Sequence, residues 1–189
     1  MDLRYLREVE FLIISMIAGS SISVGFAQKA VWVRVRGKGT FQNSPGLKEF
    51  AKEMIQRGHR DFSIDLSECP VMDSTFMGTM TGIALRLREI GQGRLRVVNP
   101  NVRNSELLTG LGLDHLIALE SGPVMIPCET SAEPMAAHDG VDKREVTQTM
   151  LHAHEALCSA DDNNNGRFKD VLEYLKDNLH RQDIATRAN

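Results

Sequence analysis

The sequence predicts an α/β fold, a mixed β-sheet flanked by helices, with a helical hairpin appended at its C-terminal end. Three observations indicate this fold. Two alternating apolar runs follow residue 21, helical and strand patterns then alternate as far as residue 120, and two more helical patterns lie beyond a proline-containing stretch. Alternating helices and strands need crossover connections, which favour a largely parallel sheet covered by helices.

The first predicted elements are two strands that pair as an antiparallel hairpin. Apolar residues alternate over 22–26 and 31–35, a pattern typical of strands with one buried face. The preceding segment, 1–20, is open to three interpretations: a signal peptide, an over-extended start with the natural one at Met16, or a loosely packed extension. Residues 2–10 lack the net positive charge of a signal peptide, and no apolar run reaches the roughly 18 residues of a membrane span.

Helix and strand patterns alternate after this hairpin. Ser44-Pro45 is a helix-start signal, and the apolar residues of 47–55 recur at helical spacing. The remaining predicted elements are a strand over 62–66, a helix that opens at 72–75, a strand over 95–98, a helix over 101–111 and a last strand over 116–119. Together these elements predict one domain over residues 21–120.

Composition narrows the class of protein. With 42% apolar and 25% charged residues the chain is globular rather than disordered, and a net charge of −3 gives no reason to expect nucleic-acid or membrane binding. Three scattered cysteines, Cys69, Cys128 and Cys158, lack the spacing of a zinc site. Their odd number fits free thiols in a reducing compartment, so we expect a cytoplasmic protein.

The C-terminal third is predicted to be an appendage. A linker over 121–143 contains three prolines and little periodicity, and a helical hairpin over 144–181 follows it. Its two helices are expected at about 144–158 and 167–180, with 161–166 as the polar turn between them. Neither helix can bury its apolar stripe alone, so the pair must pack on itself, on the domain or on a partner.

The most informative segment is Met72-Asp73-Ser74-Thr75, which links a strand to a helix. Two adjacent hydroxyls on the first turn of a helix lie where free backbone N–H groups and the helix dipole favour an anion. A phosphate ester there would add about −1.5 to −2 charge and change the surface that a partner meets. The simpler interpretation is that Asp73 or Ser74 only caps the helix.

From Ala30 to Leu119 the chain resembles the STAS domain, the fold of the bacterial anti-sigma factor antagonists. The resemblance rests on the order of elements and on a set of short motifs: Asp65-Leu66, Met-Asp-Ser-Thr at 72–75, Ile90-Gly91-Gln92-Gly93, Asn99-Pro100, and Thr109-Gly110-Leu111-Gly112-Leu113. Three features depart from the family pattern. The acceptor hydroxyl belongs to a threonine, Thr75, where serine is more common. Phe76 stands where a glycine usually follows the acceptor hydroxyl, and the usual acidic residue of the loop after the second alternating run falls near Thr40.

The resemblance implies a non-enzymatic, phospho-regulated switch without a cofactor. Its partner would be an anti-sigma factor serine/threonine kinase, bound by the unphosphorylated form. Thr75 would be the phosphate acceptor, with Ser74 as second choice. The partner-binding residues would be Asp73, Ser74, Thr75, Phe76, Met77 and Gly78. The alternative is a constitutive adaptor or scaffold in a signalling or transport complex. Whether the protein self-associates is open.

Other candidate sites are weaker, and we expect no metal centre. Asp161 to Gly166 resembles the start of a calcium-binding loop, but position 12 falls on Leu172, which has no carboxylate. His152 and His154 are two residues apart, which places them on different faces of a helix. A basic group on the second helix and fourth strand of the predicted domain is interpreted as a solvated surface; it comprises Arg86, Arg88, Arg94 and Arg96.

Overall fold

The fold is described from a computed structural model that covers residues 10–17, 20–27, 30–91, 93–122 and 142–187. Residues 1–9 and most of the expected linker over 121–143 lie outside these ranges, as does Cys128. Within them, no helix is both long enough and apolar enough to cross a membrane.

Strands and helices follow one another in the predicted order, with one additional strand at the start. The strands are β1 (Glu10–Ile17), β2 (Ser20–Ala27), β3 (Ala30–Arg36), β4 (Asp61–Glu68), β5 (Arg94–Val98) and β6 (Ala118–Glu120). The helices are α1 (Ser44–Gln56), α2 (Ser74–Glu89), α3 (Val102–Gly110), α4 (Lys143–Ala160) and α5 (Asn163–Arg187), and a 3-10 turn, Leu113–His115, precedes β6.

In the described part of the chain the six strands form one mixed sheet in the order β1-β2-β3-β4-β5-β6. The predicted hairpin is confirmed as β2 and β3, which pair antiparallel with Val24 opposite Val33. From β3 onward the strands are parallel, because a helix crosses over between each pair. β1 adds an antiparallel strand beside β2, within the segment 1–20 that the sequence left open.

The last strand of the sheet differs from its predicted position. The sequence indicated a strand over 116–119, but β6 runs over Ala118–Glu120. The 3-10 turn before it occupies Leu113–His115, and Leu116 and Ile117 donate their N–H groups back to the Leu113 carbonyl. Leu116 and Ile117 therefore close the 3-10 turn, whereas the sequence pattern assigned them to the strand.

The core lies between the sheet and the helices on one of its faces. Inward side chains of β2 to β5 join the apolar stripes of α1 and α2 in one buried cluster, with Phe62, Ile64 and Met80 at most 1% exposed. Leu157 of α4 and Phe168 of α5 belong to the same cluster. The C-terminal helices are thus packed against the domain.

The appended helices form the expected hairpin, with longer helices and a shorter turn. The turn is confined to Asp161 and Asp162, whereas the sequence placed it over 161–166. Asp161 accepts a hydrogen bond from the Asn163 backbone N–H (2.8 Å), which starts α5 earlier than apolar periodicity suggested. Asn164 is 1% exposed, and its amide donates to the Leu111 and Leu157 carbonyl oxygens at 3.0 and 2.9 Å. This one side chain ties the turn to the end of α3.

Candidate functional site at the start of α2

Asp73 fixes the entrance to α2. It is the N-cap residue, with extended backbone angles (φ −91°, ψ 170°), and its Oδ1 accepts from the Phe76 backbone N–H at 2.8 Å. Its Oδ2 accepts from the Phe41 N–H, also at 2.8 Å. One carboxylate therefore satisfies a free donor of α2 and ties the loop between β3 and α1 to the same point.

The loop between β3 and α1 lies directly over the first turn of α2. Gly39 donates its N–H to the Val71 carbonyl (3.1 Å) and accepts from the Asp73 N–H (2.9 Å). A Cβ at Gly39 would lie 2.7 Å from Cδ1 of Phe76, which is itself fully buried. The ring of Phe76, the residue that departs from the family pattern, therefore packs directly against Gly39, which has no side chain to clash with it.

The start of helix α3 contacts the loop that leads from β4 into α2. Asn101 caps α3 by accepting from the Asn104 N–H at 2.8 Å. The side-chain amides of these two asparagines donate to the Cys69 carbonyl, at 3.1 Å from Asn101 and 2.8 Å from Asn104. The loop that leads from β4 into α2 is therefore anchored before Asp73 is reached.

Asp65, in the strand-end motif of the family, is 1% exposed and locks the sheet beside the site. Its carboxylate accepts from Arg34 Nε (2.8 Å), Asn99 Nδ2 (3.0 Å) and the Ser67 N–H (3.0 Å). Burial opposes the charged form, but the hydrogen bonds from Asn99, Ser67 and Arg34 outweigh it and lower the pKa of Asp65.

The two candidate acceptor hydroxyls have different surroundings. Ser74 is half-buried, and its Oγ lies 3.0 Å from Nε2 of His154 on α4. Thr75 is only 3% exposed. The other ring nitrogen of His154, Nδ1, lies 2.7 Å from the Met150 carbonyl oxygen, which can only accept. In the neutral ring Nδ1 therefore carries the proton, and Nε2 accepts from the Ser74 hydroxyl.

Helix α4 crosses α2 one turn beyond Ser74, at a point of close backbone approach. A Cβ at Gly78 would lie 2.6 Å from the carbonyl carbon and 2.9 Å from the Cα of Ala153. A Cβ at Gly82, a further turn along, would meet the Ala156 Cβ at an ordinary 3.8 Å. The side of α2 that faces α4 therefore carries Ser74 of the candidate site, followed by Gly78 and Gly82.

Access to the predicted partner-binding residues is limited in this structure. Asp73 and Ser74 are half-buried, whereas Thr75, Phe76, Met77 and Gly78 are buried. Phe76 points into the domain, and Ser74 and Gly78 contact α4 directly. In this structure α4 therefore limits access to Ser74 and Gly78.

His154 is the site residue that sequence reasoning missed. The sequence singled it out only with His152, as a metal pair on different faces of a helix. The structure does place them apart: His152 Nδ1 lies 3.2 Å from Lys48 Nζ, and His154 packs edge-on against Phe168. His154 lies on the apolar face of α4, and this position was the sequence signal that its side chain would be buried. Nothing in the local sequence indicates that this face packs on α2.

The weaker candidates do not assemble into a site. Asp161 and Asn163 belong to the hairpin turn and the start of α5, and no group of three or more metal-ligating side chains occurs within the described ranges. Of the basic group, Arg86 pairs with Glu89, Arg94 with Asp61 and Arg96 with Glu120.

Neither described cysteine is disposed to be a reactive thiolate. Cys69 and Cys158 are both free. Burial raises the pKa of the Cys69 thiol, and burial followed by the charge of Glu155 raises that of Cys158. Both shifts favour the neutral thiol, which is a poor nucleophile.

A mixed sheet that opens with an antiparallel hairpin, and a capped pair of hydroxyls at the head of α2, together define the STAS class of α/β domain. The chain belongs to this family: the family model described as "Mlab, STAS domain" matches residues 22–119, just over half of the 189 residues. The resemblance found in the sequence is thereby confirmed. A comparison with curated proteins finds no match.

The chain is also similar to several solved structures, three of which follow. A proposed anti-sigma factor antagonist of Thermotoga maritima, TM1081, is 18% identical over 53% of this chain and 86% of its own, with a TM-score of 0.49. The anti-sigma factor antagonist SpoIIAA in its unphosphorylated form is 15% identical over 55% and 89%, with a TM-score of 0.46. The Bacillus cell fate determinant SpoIIAA in its phosphorylated form is 18% identical over 52% and 89%, with a TM-score of 0.44.

Proposed function

We propose that this protein is a non-enzymatic, protein-binding switch of the anti-sigma factor antagonist type. Its unphosphorylated form would bind a kinase-type anti-sigma factor through residues 73–78, and phosphate on Thr75 would end that binding. The observation that supports this proposal is the pair of hydroxyls, Ser74 and Thr75, on the first turn of a helix that Asp73 already caps.

The chemistry of this turn suits a phosphorylation site. The N-terminus of a helix offers unpaired N–H groups and the positive end of its dipole, which favour an anion. Asp73 takes up only the Phe76 N–H within α2. A phosphate placed here adds about −1.5 to −2 charge. At the centre of a contact from which water is excluded, such a charge costs several kcal/mol unless cations match it.

The proposal also includes the C-terminal hairpin as a cover of the same surface. Ser74 is hydrogen-bonded to α4, and Thr75 is 3% exposed, so a kinase cannot reach the Thr75 hydroxyl while α4 is docked. A phosphate on Thr75 would in turn oppose redocking, because a dianion would have to be buried. Partner binding and hairpin docking would therefore compete for one face of α2.

The test is phosphate transfer followed by a binding measurement. The purified chain is incubated with ATP and a purified serine/threonine kinase of the anti-sigma factor type, and phosphate is mapped by mass spectrometry. The proposal predicts phosphate on Thr75 and weaker kinase binding by Thr75→Glu than by the matched, uncharged Thr75→Val. No phosphate on either hydroxyl, together with equal binding by the two variants, would refute it.

A constitutive adaptor in a signalling or transport complex is the second candidate. The observation that favours it is the 3% exposure of Thr75 in the structure, since an adaptor needs no accessible hydroxyl at this position. An adaptor would bind its partner through surfaces that leave α4 docked. Amide exchange of α2 that stays slow in the partner complex would support the adaptor, and faster exchange of α4 on binding would support the switch.

A further inference from the structure

A groove of about 430 Å³ lies between α1, α2 and α4, beside the close crossing of α2 and α4. Its volume falls within the roughly 300–1,000 Å³ range typical of small-molecule sites. It is bounded on two sides by helices of the STAS domain and on the third by the appended hairpin. The groove therefore exists only while the hairpin is docked.

The lining of the groove is mostly apolar. Ala51 and Ile55 contribute from α1, one turn apart, and Ile83 contributes from α2. Gly78 and Gly82 bring the α2 backbone to the surface of the groove between them. An apolar chain or ring could be buried here with little loss of polar hydration, and the removal of its apolar surface from water would stabilise the bound state.

Three cationic side chains border this apolar floor, and two of them are also ion-paired with glutamates outside it. Lys48, Lys52 and Arg86 line the groove, and none of its lining residues is acidic. Glu49 and Glu89, which pair with Lys52 and Arg86, are exposed residues on the same two helices and do not line it.

Lys48 has an uncharged partner on α4. Its Nζ lies 3.2 Å from Nδ1 of His152. Burial, followed by the positive charge of Lys48, lowers the pKa of His152, while Glu155 acts in the opposite direction. The neutral imidazole therefore accepts a hydrogen bond from the Lys48 ammonium group, and it does not compensate the positive charge of Lys48.

We propose that this groove binds a small amphipathic anion, with its apolar chain against Ile55 and Ile83 and its carboxylate headgroup held by Lys48 and Arg86. Charge complementarity selects the headgroup, and the apolar floor selects the chain. A medium-chain carboxylate combines both features. Because Thr149, His152 and Ala153 of α4 form one wall, the bound ligand adds contacts to the docked hairpin.

A ligand that binds only the docked form shifts the docking equilibrium by mass action. It would stabilise the cover over Ser74 and Thr75 and so delay access of a partner. This regulatory consequence depends on the proposed function. The binding itself does not, and it can be measured without a kinase.

The experiment titrates the full chain with sodium octanoate below its critical micelle concentration, using calorimetry and amide chemical shifts. The proposal predicts saturable binding, with shifts confined to α1, α2 and α4. It also predicts clearly weaker binding of 1-octanol, which has the same chain and no charge. Loss of one charge-assisted hydrogen bond in Arg86→Ala should weaken octanoate binding roughly tenfold.

The matched control is Arg88→Ala, an exposed arginine two residues along α2 that does not line the groove. This variant should bind octanoate like the wild type. Absence of saturable binding, equal affinity for octanol, or equal effects of the two arginine substitutions would each overturn the proposal. If octanoate binds as predicted while no kinase modifies Thr75, the groove stands and the proposed switch function fails.

Discussion

Gly78→Ala is the sharpest available probe of the contact between α2 and α4. The added methyl would lie 2.6 Å from the Ala153 carbonyl carbon and 2.9 Å from its Cα, both backbone atoms of α4. These atoms cannot rotate away, so α4 has to shift. Real Cβ atoms essentially never lie within 3.0 Å of another heavy atom. The shift of α4 that relieves this clash puts at risk the 3.0 Å hydrogen bond between Ser74 and His154.

The size of the effect follows from the cost of overpacking. Adding a methyl group to a tightly packed contact costs about 1–3 kcal/mol. Replacing glycine inside a helix by alanine gains about 1 kcal/mol, but α2 keeps that gain whether or not the hairpin is docked. A net loss of about 2 kcal/mol in docking raises the population of the undocked form roughly thirtyfold.

Amide hydrogen exchange measures this population directly. In Gly78→Ala, exchange in α4 and in the first turn of α2 should accelerate about thirtyfold, while β3, β4 and β5 keep wild-type rates. Gly82→Ala is the matched control, because its methyl meets the Ala156 Cβ at an unstrained 3.8 Å. If both variants exchange like the wild type in α4, the close crossing does not hold the hairpin and the reasoning is refuted.

Three further substitutions test how the site is built, each by urea denaturation. Asp73→Ala removes the cap of α2 and the acceptor of the Phe41 N–H, and should cost about 1–2 kcal/mol; an unchanged midpoint would contradict the capping role. Phe76→Gly, which restores the usual family residue, empties a fully buried site and should cost about 4 kcal/mol; a stable variant would show that the ring is dispensable. Asp65→Ala should cost about 3 kcal/mol at neutral pH, whereas the exposed Asp61→Ala should cost under about 1 kcal/mol. Because folding lowers the pKa of Asp65, its stabilisation is complete above the unfolded pKa of about 4 and is lost as the pH falls through the folded value; a difference between Asp65→Ala and wild type that persisted at lower pH would contradict this.

Local sequence signals were sufficient for most of the domain. Alternation identified β2 and β3, and the helix-start signal Ser44-Pro45 marked α1, because one buried face or a first turn leaves a pattern in a few adjacent residues. The same reasoning placed Asp73 at the entrance of α2, where it is the N-cap. At the start of β6 the signal failed, since Leu116 and Ile117 close the 3-10 turn and do not belong to the strand.

The docking of the C-terminal hairpin on α2 could not be predicted from local sequence signals. The apolar positions of α4 require a partner surface, but they do not specify which one. The sequence around Gly78 does not indicate that this glycine packs against Ala153. Ser74 and His154 are 80 residues apart in sequence, so no local pattern links them. The sequence therefore predicted the site as an exposed, partner-binding turn. Its burial beneath the protein's own C-terminal helix is a tertiary feature.

The central claim is that the first turn of α2 is a phosphate-acceptor site covered by α4. The most direct test compares the rate of Thr75 phosphorylation by a serine/threonine kinase of the anti-sigma factor type in wild type, Gly78→Ala and Gly82→Ala. The account predicts faster modification of Thr75 in Gly78→Ala and wild-type rates in Gly82→Ala. Equal rates in all three proteins, or phosphate on residues outside the first turn of α2, would contradict it.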